Sequence, residues 1–211
     1  MQFETGDLYH VYNQGNNSGP IFFTQDNYFF FIEKMRKYIL PYADILAWCL
    51  MPNHFHLMVY VHTLEIEVSA DEDIAIDGVT PVKANSKRKV TKKRDFNNAI
   101  GILLRSYTRA IHNQEEMTGS LFRNPTHAKC LTTPKGITPA YFNTAFGTVM
   151  NRHILEEEYP QVCFNYIHDN PVTSKLVKHA EDWTFSSYRD YCGKRNGQLI
   201  NKERAREFGL Y

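Results

Sequence analysis

Only four cysteines occur, Cys49, Cys130, Cys163 and Cys192, and no two lie close together in the chain. That scatter excludes a disulfide frame or a zinc knuckle and predicts free thiols in a reducing compartment. No apolar run approaches the ~20 residues that cross a bilayer, and Met1 to Gly6 shows no basic-then-apolar leader. A cytoplasmic location without a membrane partner is therefore expected. Neither sign of charge dominates: the net charge is +1, so bulk charge does not announce a nucleic-acid binder and local patterning must carry that case. Internal repeats and low-complexity tracts are absent as well. What remains is 211 residues with 43% hydrophobic content, enough for one sizeable core and a single domain over 1–211.

Leu8 to Gln14 alternates and reads as a first strand, ended by the turn cluster Gly15 to Pro20. Thr24 or Asp26 can cap a helix running to about Leu40. Asp44–Leu50 and His54–Val61 are β-rich runs joined by Met51, Pro52 and Asn53, a hairpin. Residues 65–94 begin acidic, end basic and carry little periodicity, which predicts a mobile insertion with room for a short hairpin. From Asp95 to about Gln114 the apolar positions Ile100, Leu103, Leu104, Tyr107 and Ile111 fall at helical intervals. A loop from Gly119 feeds another strand near Leu131. Helices are expected over 139–152, within a helical elaboration spanning 132–158, and over 160–169, the latter stopped by Pro171. Strand, helix, hairpin, helix, strand and helices in that order predict an α+β fold. The arrangement is a ferredoxin-like antiparallel sheet with helices on one face and the His pair on a central strand.

The chemistry centres on His54-Phe55-His56. In a strand, residues i and i+2 share a face, so two imidazoles stand side by side while Phe55, Leu57 and Val59 point into a core. Paired imidazoles are half of a metal site. Tyr166 and Asn170 are four apart and share a helix face. They add a phenol nucleophile and an amide oxygen, so a Mg²⁺ or Mn²⁺ ion held by His54, His56 and Asn170 can polarise a phosphodiester beside Tyr166. A tyrosine suits breaking and rejoining, because the phosphotyrosine link keeps the bond energy that water would dissipate.

Several motifs together carry a family resemblance. Met51-Pro52-Asn53-His54-Phe55-His56-Leu57-Met58-Val59 resembles the histidine–hydrophobic–histidine (HUH) strand of single-tyrosine transposases. Tyr9-His10-Val11-Tyr12-Asn13-Gln14-Gly15 is similar to that family's first strand and turn, and Leu104-Arg105-Ser106-Tyr107 to its second helix. Gly119-Ser120-Leu121-Phe122-Arg123 looks like the loop beyond, Tyr166-Ile167-His168-Asp169-Asn170-Pro171 like its nucleophile helix, and Asp182-Trp183-Thr184-Phe185-Ser186-Ser187-Tyr188 like its C-terminal signature. Within that superfamily the chain most resembles the REP-associated tyrosine transposases, which nick and join single-stranded DNA at hairpin-forming palindromes. The resemblance implies DNA transposition and recombination by an endonuclease with a catalytic tyrosine. Tyr166 would be the nucleophile of a 5′-phosphotyrosine intermediate, and His54, His56 and Asn170 the ligands of Mg²⁺ or Mn²⁺. The partner it implies is single-stranded, hairpin-forming DNA. A homodimer stays open, since relatives can exchange helices and build the site from two subunits. The long segments 65–94 and 132–158 depart from the family pattern.

Each residue also has a plainer reading. Asn170 can merely cap a helix end; His168 should point away from Tyr166, as a packing or surface residue; and Tyr107, a rival nucleophile on a helix, sits among Leu103, Leu104 and Ile111, which favours a core role. His10 can approach the site from the first strand, with a structural role favoured. Phosphate contacts are expected from Arg105, Arg109, Arg123 and Lys129, and from Lys92, Lys93 and Arg94 in the basic run. Tyr12 and other aromatics can stack on bases. Two rival functions remain: a DNA-binding module that has lost strand transfer, and an RNA phosphoesterase using histidines as acid and base, for which only His10 offers a second histidine.

Overall fold

A computed structural model describes residues 1–69, 91–132, 140–144, 147–151 and 158–211. β1 (Leu8–Gln14) leads into α1 (Gln25–Tyr38), then β2 (Ala43–Met51) and β3 (His54–Val61). β4 (Glu65–Ser69) and β5 (Thr91–Asp95) precede α2 (Phe96–Glu115) and β6 (His127–Cys130). β7 (Ala140–Thr144), β8 (Gly147–Asn151) and α3 (Tyr159–Thr173) follow, with the short helices α4 (Tyr188–Tyr191) and α5 (Lys202–Glu207) in the C-terminal segment.

Four strands form an antiparallel sheet in the order β2-β3-β1-β6. β3 lies between β1 and β2, so the crossover through α1 is a split βαβ unit, the ferredoxin-like arrangement expected from the order of elements. The helix starts are chemically specified. Thr24 caps α1 with Asn27 in a capping box, and the Asp95 carboxylate accepts from the Asn98 amide 2.8 Å away at the start of α2.

Alternation along β1 and β3 sends side chains to two differently built layers. Val11, Phe55, Leu57 and Val59 join Phe31, Met35 and Tyr38 of α1 and Leu103, Tyr107 and Ile111 of α2 in the larger core. Tyr107 is fully buried there and its hydroxyl donates to the Ile21 carbonyl at 2.6 Å, which makes it a core residue and not a rival nucleophile. On the other face Leu8, Cys49, Met51 and Met58 pack with Cys163, Phe164 and Ile167 of α3 and with Ala205 and Leu210. Helices α1 and α2 thus share one face as predicted, and α3 adds a cover on the second. All four cysteines are free.

The outer edge of β2 is occupied by the C-terminal segment. Leu50 N–H donates to Phe185 O at 2.9 Å, Ser187 N–H to Trp48 O at 2.9 Å, and Asn201 N–H to Ile45 O at 2.9 Å. Pairing of this kind covers an edge that otherwise invites association.

Two sequence expectations, at 139–152 and at Pro171, need correction, while the pairing allowed for within 65–94 is seen at its ends. The helix predicted over 139–152 is an antiparallel pair, with Ala140 opposite Asn151 and Thr144 opposite Gly147. Tyr, Phe, Thr and Val are strand formers, and Gly147 weakens a helix at its middle. The insertion at 65–94 is anchored by a ladder from Glu65↔Asp95 to Ser69↔Thr91; residues 70–90, with Lys87, Arg88 and Lys89, lie outside the described residues. Pro171 does not stop α3, which runs on to Thr173. A proline so near the C-terminus forfeits one helical donor, and the final carbonyls are met by Ser174 N–H on Asn170 O, Leu176 N–H on Pro171 O and Lys175 N–H on Val172 O, each at 2.9 Å.

Candidate active site

The second face of the sheet brings the candidate site residues together. His10 and Tyr12 of β1 and His54 and His56 of β3 have matching parity, with Tyr12 opposite His56 and Gln14 opposite His54. Helix α3 crosses this face and lowers Tyr166 and Asn170 onto the histidines. The Tyr166 ring lies 5.2 Å from the His56 ring at 74° and 6.1 Å from the His10 ring at 76°. The expected constellation therefore meets within one chain. His168, on another side of the helix, is buried and lies 2.7 Å from Ser187 Oγ, tying α3 to the segment along β2. Of the packing and surface roles its spacing allowed, the structure shows packing.

The Asn170 amide spans the two imidazoles. Its Oδ1 lies 3.0 Å from His54 Nε2, and its Nδ2 lies 3.3 Å from His56 Nε2. Beneath them, His10 Nε2 sits 2.9 Å from His56 Nδ1, and Asn53 Oδ1 sits 2.6 Å from His54 Nδ1. Asn53 also donates through its Nδ2 to Ser18 O at 3.2 Å. Both His54 nitrogens thus face amide oxygens, and a neutral imidazole donates to only one of them.

Burial pushes His54 and His56 below the ordinary histidine range. The Asn170 hydrogen bond works against this at His54, while the neighbouring histidines reinforce it at His56. Burial, helped by the positive charge of Lys129, takes His10 down to about 3. The imidazoles are thus neutral near pH 7, the form that binds metal. Among the described residues no group of three His, Cys, Asp or Glu side chains is arranged to hold a metal ion, so a site here needs the Asn170 amide as its third donor. Two neutral nitrogens and an amide oxygen fit a divalent cation of intermediate hardness such as Mn²⁺ and are a leaner set for Mg²⁺. Burial raises Tyr166 to about 12, opposed by its hydrogen bond from Asn170.

A cavity of about 570 Å³ opens over these groups, and its wall includes Tyr12, Arg123, His127, Lys129 and Tyr159. Tyr12 and His127 are stacked, 5.1 Å apart at 19°. Of the expected phosphate contacts, Arg123 and Lys129 line this cavity. Arg123 also donates to Ser18 Oγ at 3.1 Å, and the Lys129 ammonium stands 5.6 Å from the Tyr159 ring centre. Arg105 and Arg109 are exposed on α2, in the layer across the sheet. Lys92 and Lys93 are exposed on β5, Lys93 pairing with Glu65 at 2.7 Å. Arg94 corrects the expectation: it is only 3% exposed, with its guanidinium 5.9 Å from the Tyr38 ring centre, so it is a packing residue and not a phosphate contact. His10 lies on the same face as Tyr12 and His56 and borders the cavity.

No helix among the described residues is long and apolar enough to cross a membrane. No family model and no curated protein matches the chain. Among solved structures, the fold is similar to that of a REP-associated tyrosine transposase bound to a REP hairpin, with a TM-score of 0.50 and 16% identity over 95% of this chain and 92% of that one.

Proposed function

We propose that this protein nicks and rejoins single-stranded DNA at hairpin-forming ends. The observation that carries the reading is the convergence of Tyr166 and Asn170, from one helix, on His54 and His56 from a central strand. Similarity in fold to a transposase bound to a DNA hairpin supports the substrate class.

His54, His56 and Asn170 would hold a Mg²⁺ or Mn²⁺ ion, which when bound supplies charge neutralisation on the phosphate and fixes its orientation. Tyr166 does the bond chemistry. Its Oη attacks phosphorus, the bond from phosphorus to the 3′ oxygen breaks, and the phenol proton leaves to solvent as the 3′ oxygen takes one up. The product is a 5′-phosphotyrosine link and a free 3′ hydroxyl. A later 3′ hydroxyl reverses these steps and restores the strand, so no external energy source enters. Asn170 orients Tyr166 and favours its anionic form through the hydrogen bond it donates. Arg123 and Lys129 on the cavity wall attract the phosphodiester backbone, and the Tyr12–His127 pair offers a face for an unpaired base.

The test is mass spectrometry of protein incubated with a panel of hairpin oligonucleotides and Mn²⁺. An oligonucleotide adduct on Tyr166, lost in Tyr166→Phe, is the expected result. Tight hairpin binding without any adduct would mark the chain as a binding module that has lost strand transfer.

A further inference from the structure

The turn after β1 is strained at two consecutive residues. Asn17 and Ser18 have φ values of 53° and 58°, in the left-handed region. Asparagine is tolerated there, whereas serine is not favoured. Both residues are exposed, so burial of an apolar side chain does not explain the strain. The turn is also tight: a Cβ on Gly15 would lie 2.0 Å from Gly19 O, so that position admits only glycine. Main-chain groups around it are fixed independently. Asn16 N–H donates to Leu121 O at 2.9 Å and Arg123 N–H to Gln14 O at 2.8 Å, while Asn13 Nδ2 donates to Arg123 O at 3.0 Å. None of these bonds uses the Ser18 side chain. Strained residues persist where the surrounding structure holds them, and they gather at sites that clamp ligands.

Ser18 and Arg123 both line the cavity. The Ser18 hydroxyl lies 3.3 Å from Gln14 Nε2 and accepts from Arg123 Nη2 at 3.1 Å. Arginine can only donate, so the direction of that bond is fixed whichever way nearby amides are turned. We infer that the strained Asn17–Ser18 turn is a positioning device, in which Ser18 Oγ holds the Arg123 guanidinium at the cavity wall to receive a phosphate of the DNA backbone. The hold engages one of the five N–H donors of the guanidinium and leaves the rest of its planar fork for that phosphate. An arginine held in advance loses less side-chain freedom on binding than one that must first be ordered. The hold of Ser18 on Arg123 stands by itself, whereas phosphate as the ligand rests on the proposed DNA substrate.

The experiment uses the full chain as wild type, Ser18→Ala, Ser18→Gly, Arg123→Ala and the double variant Ser18→Gly with Arg123→Ala. Side-chain ¹⁵Nε relaxation in DNA-free protein reports the mobility of the Arg123 guanidinium, whose signal is assigned by its loss in Arg123→Ala. Anisotropy with the tightest-bound member of the hairpin panel, repeated across a salt series, reports affinity. Arg123 is expected to be ordered in wild type and mobile in both Ser18 variants. Each Ser18 variant should bind the hairpin about 3- to 10-fold more weakly with the wild-type salt slope, since the charge is kept. Arg123→Ala should instead lower that slope by about 1. In the double variant the loss of Ser18 should have no further effect. The urea midpoint of Ser18→Gly should match or exceed that of wild type, because glycine relieves the strain. An Arg123 equally mobile with and without the Ser18 hydroxyl would overturn the inference. So would an affinity loss that persists in the double variant, or one that follows a fall in the Ser18→Gly midpoint. An ordered Arg123 freed by either Ser18 variant, in a protein that binds no member of the panel, supports the hold and sinks the DNA reading instead.

Discussion

At the scale of single residues, the proposed reaction rests on Tyr166 and Asn170. Burial puts the Tyr166 phenol at about 12, so only a small phenolate fraction exists near neutrality and that fraction grows as pH rises. Single-turnover formation of the Tyr166 adduct should therefore accelerate with pH between about 6 and 9. A rate flat across that range would mean that proton loss from Tyr166 does not limit attack. Asn170→Ala removes the group that bridges both imidazoles and hydrogen-bonds the phenol. Adduct formation should drop about 10- to 100-fold while hairpin affinity, measured by anisotropy, changes little. These two residues and the His pair were legible because helix and strand periods are short and local. The partners of their ring nitrogens were not, since Asn53 and His10 are brought to the histidines by tertiary packing.

At the scale of elements, the position of α3 decides whether Tyr166 meets the sheet. His168 anchors that helix through Ser187 Oγ, which also takes the Trp48 N–H at 2.8 Å. Loss of such a buried contact costs about 1–3 kcal/mol. His168→Ala should lower the urea midpoint accordingly and slow adduct formation, with the wild-type urea dependence of stability retained. A deeper lesion is Phe55→Ala beneath the His pair. Phe55 is 2% exposed against Phe31 and Phe122, and truncation should cost about 3–5 kcal/mol, read from the same melts. The sheet elements were readable because alternation is strong in β1 and β3 and both helices of the larger core carry capping residues. The strand pair 140–144 and 147–151 was missed because a short aromatic and β-branched run satisfies helix and strand patterns alike.

For the whole molecule, two cores on opposite faces leave titratable groups buried between sheet and helix. His10 and His168 each sit at about 3 in the folded protein, chiefly through burial, against ~6.5 unfolded. The folded pKa is depressed, so stability is complete above ~6.5. As pH falls from there toward 3, the unfolded chain takes up protons that the folded chain refuses, costing up to ~1.4 kcal/mol per pH unit for each group. Urea unfolding at pH 7 and pH 4.5 should reveal this loss, and His168→Gln should flatten its slope. Electrostatic attraction of DNA should be concentrated at the cavity wall. Lys129→Ala should reduce the slope of log affinity against log salt by about 1, and Arg105→Ala, across the sheet, should leave it unchanged. Sequence reading could nominate these cations but not sort them, because which side of the sheet a helix occupies is set by the packing of faces far apart in the chain.

The turn between β2 and β3 holds only Pro52 and Asn53, with Met51 directly opposite His54. Adding one amino acid there, without a bulge to absorb it, would slide the second strand by a single step and turn it inside out, driving both imidazoles into grease and Phe55 and Leu57 into the open cleft. Small shifts of this strand are thus all-or-nothing, so the tip tolerates a change of side chain far better than a change of length.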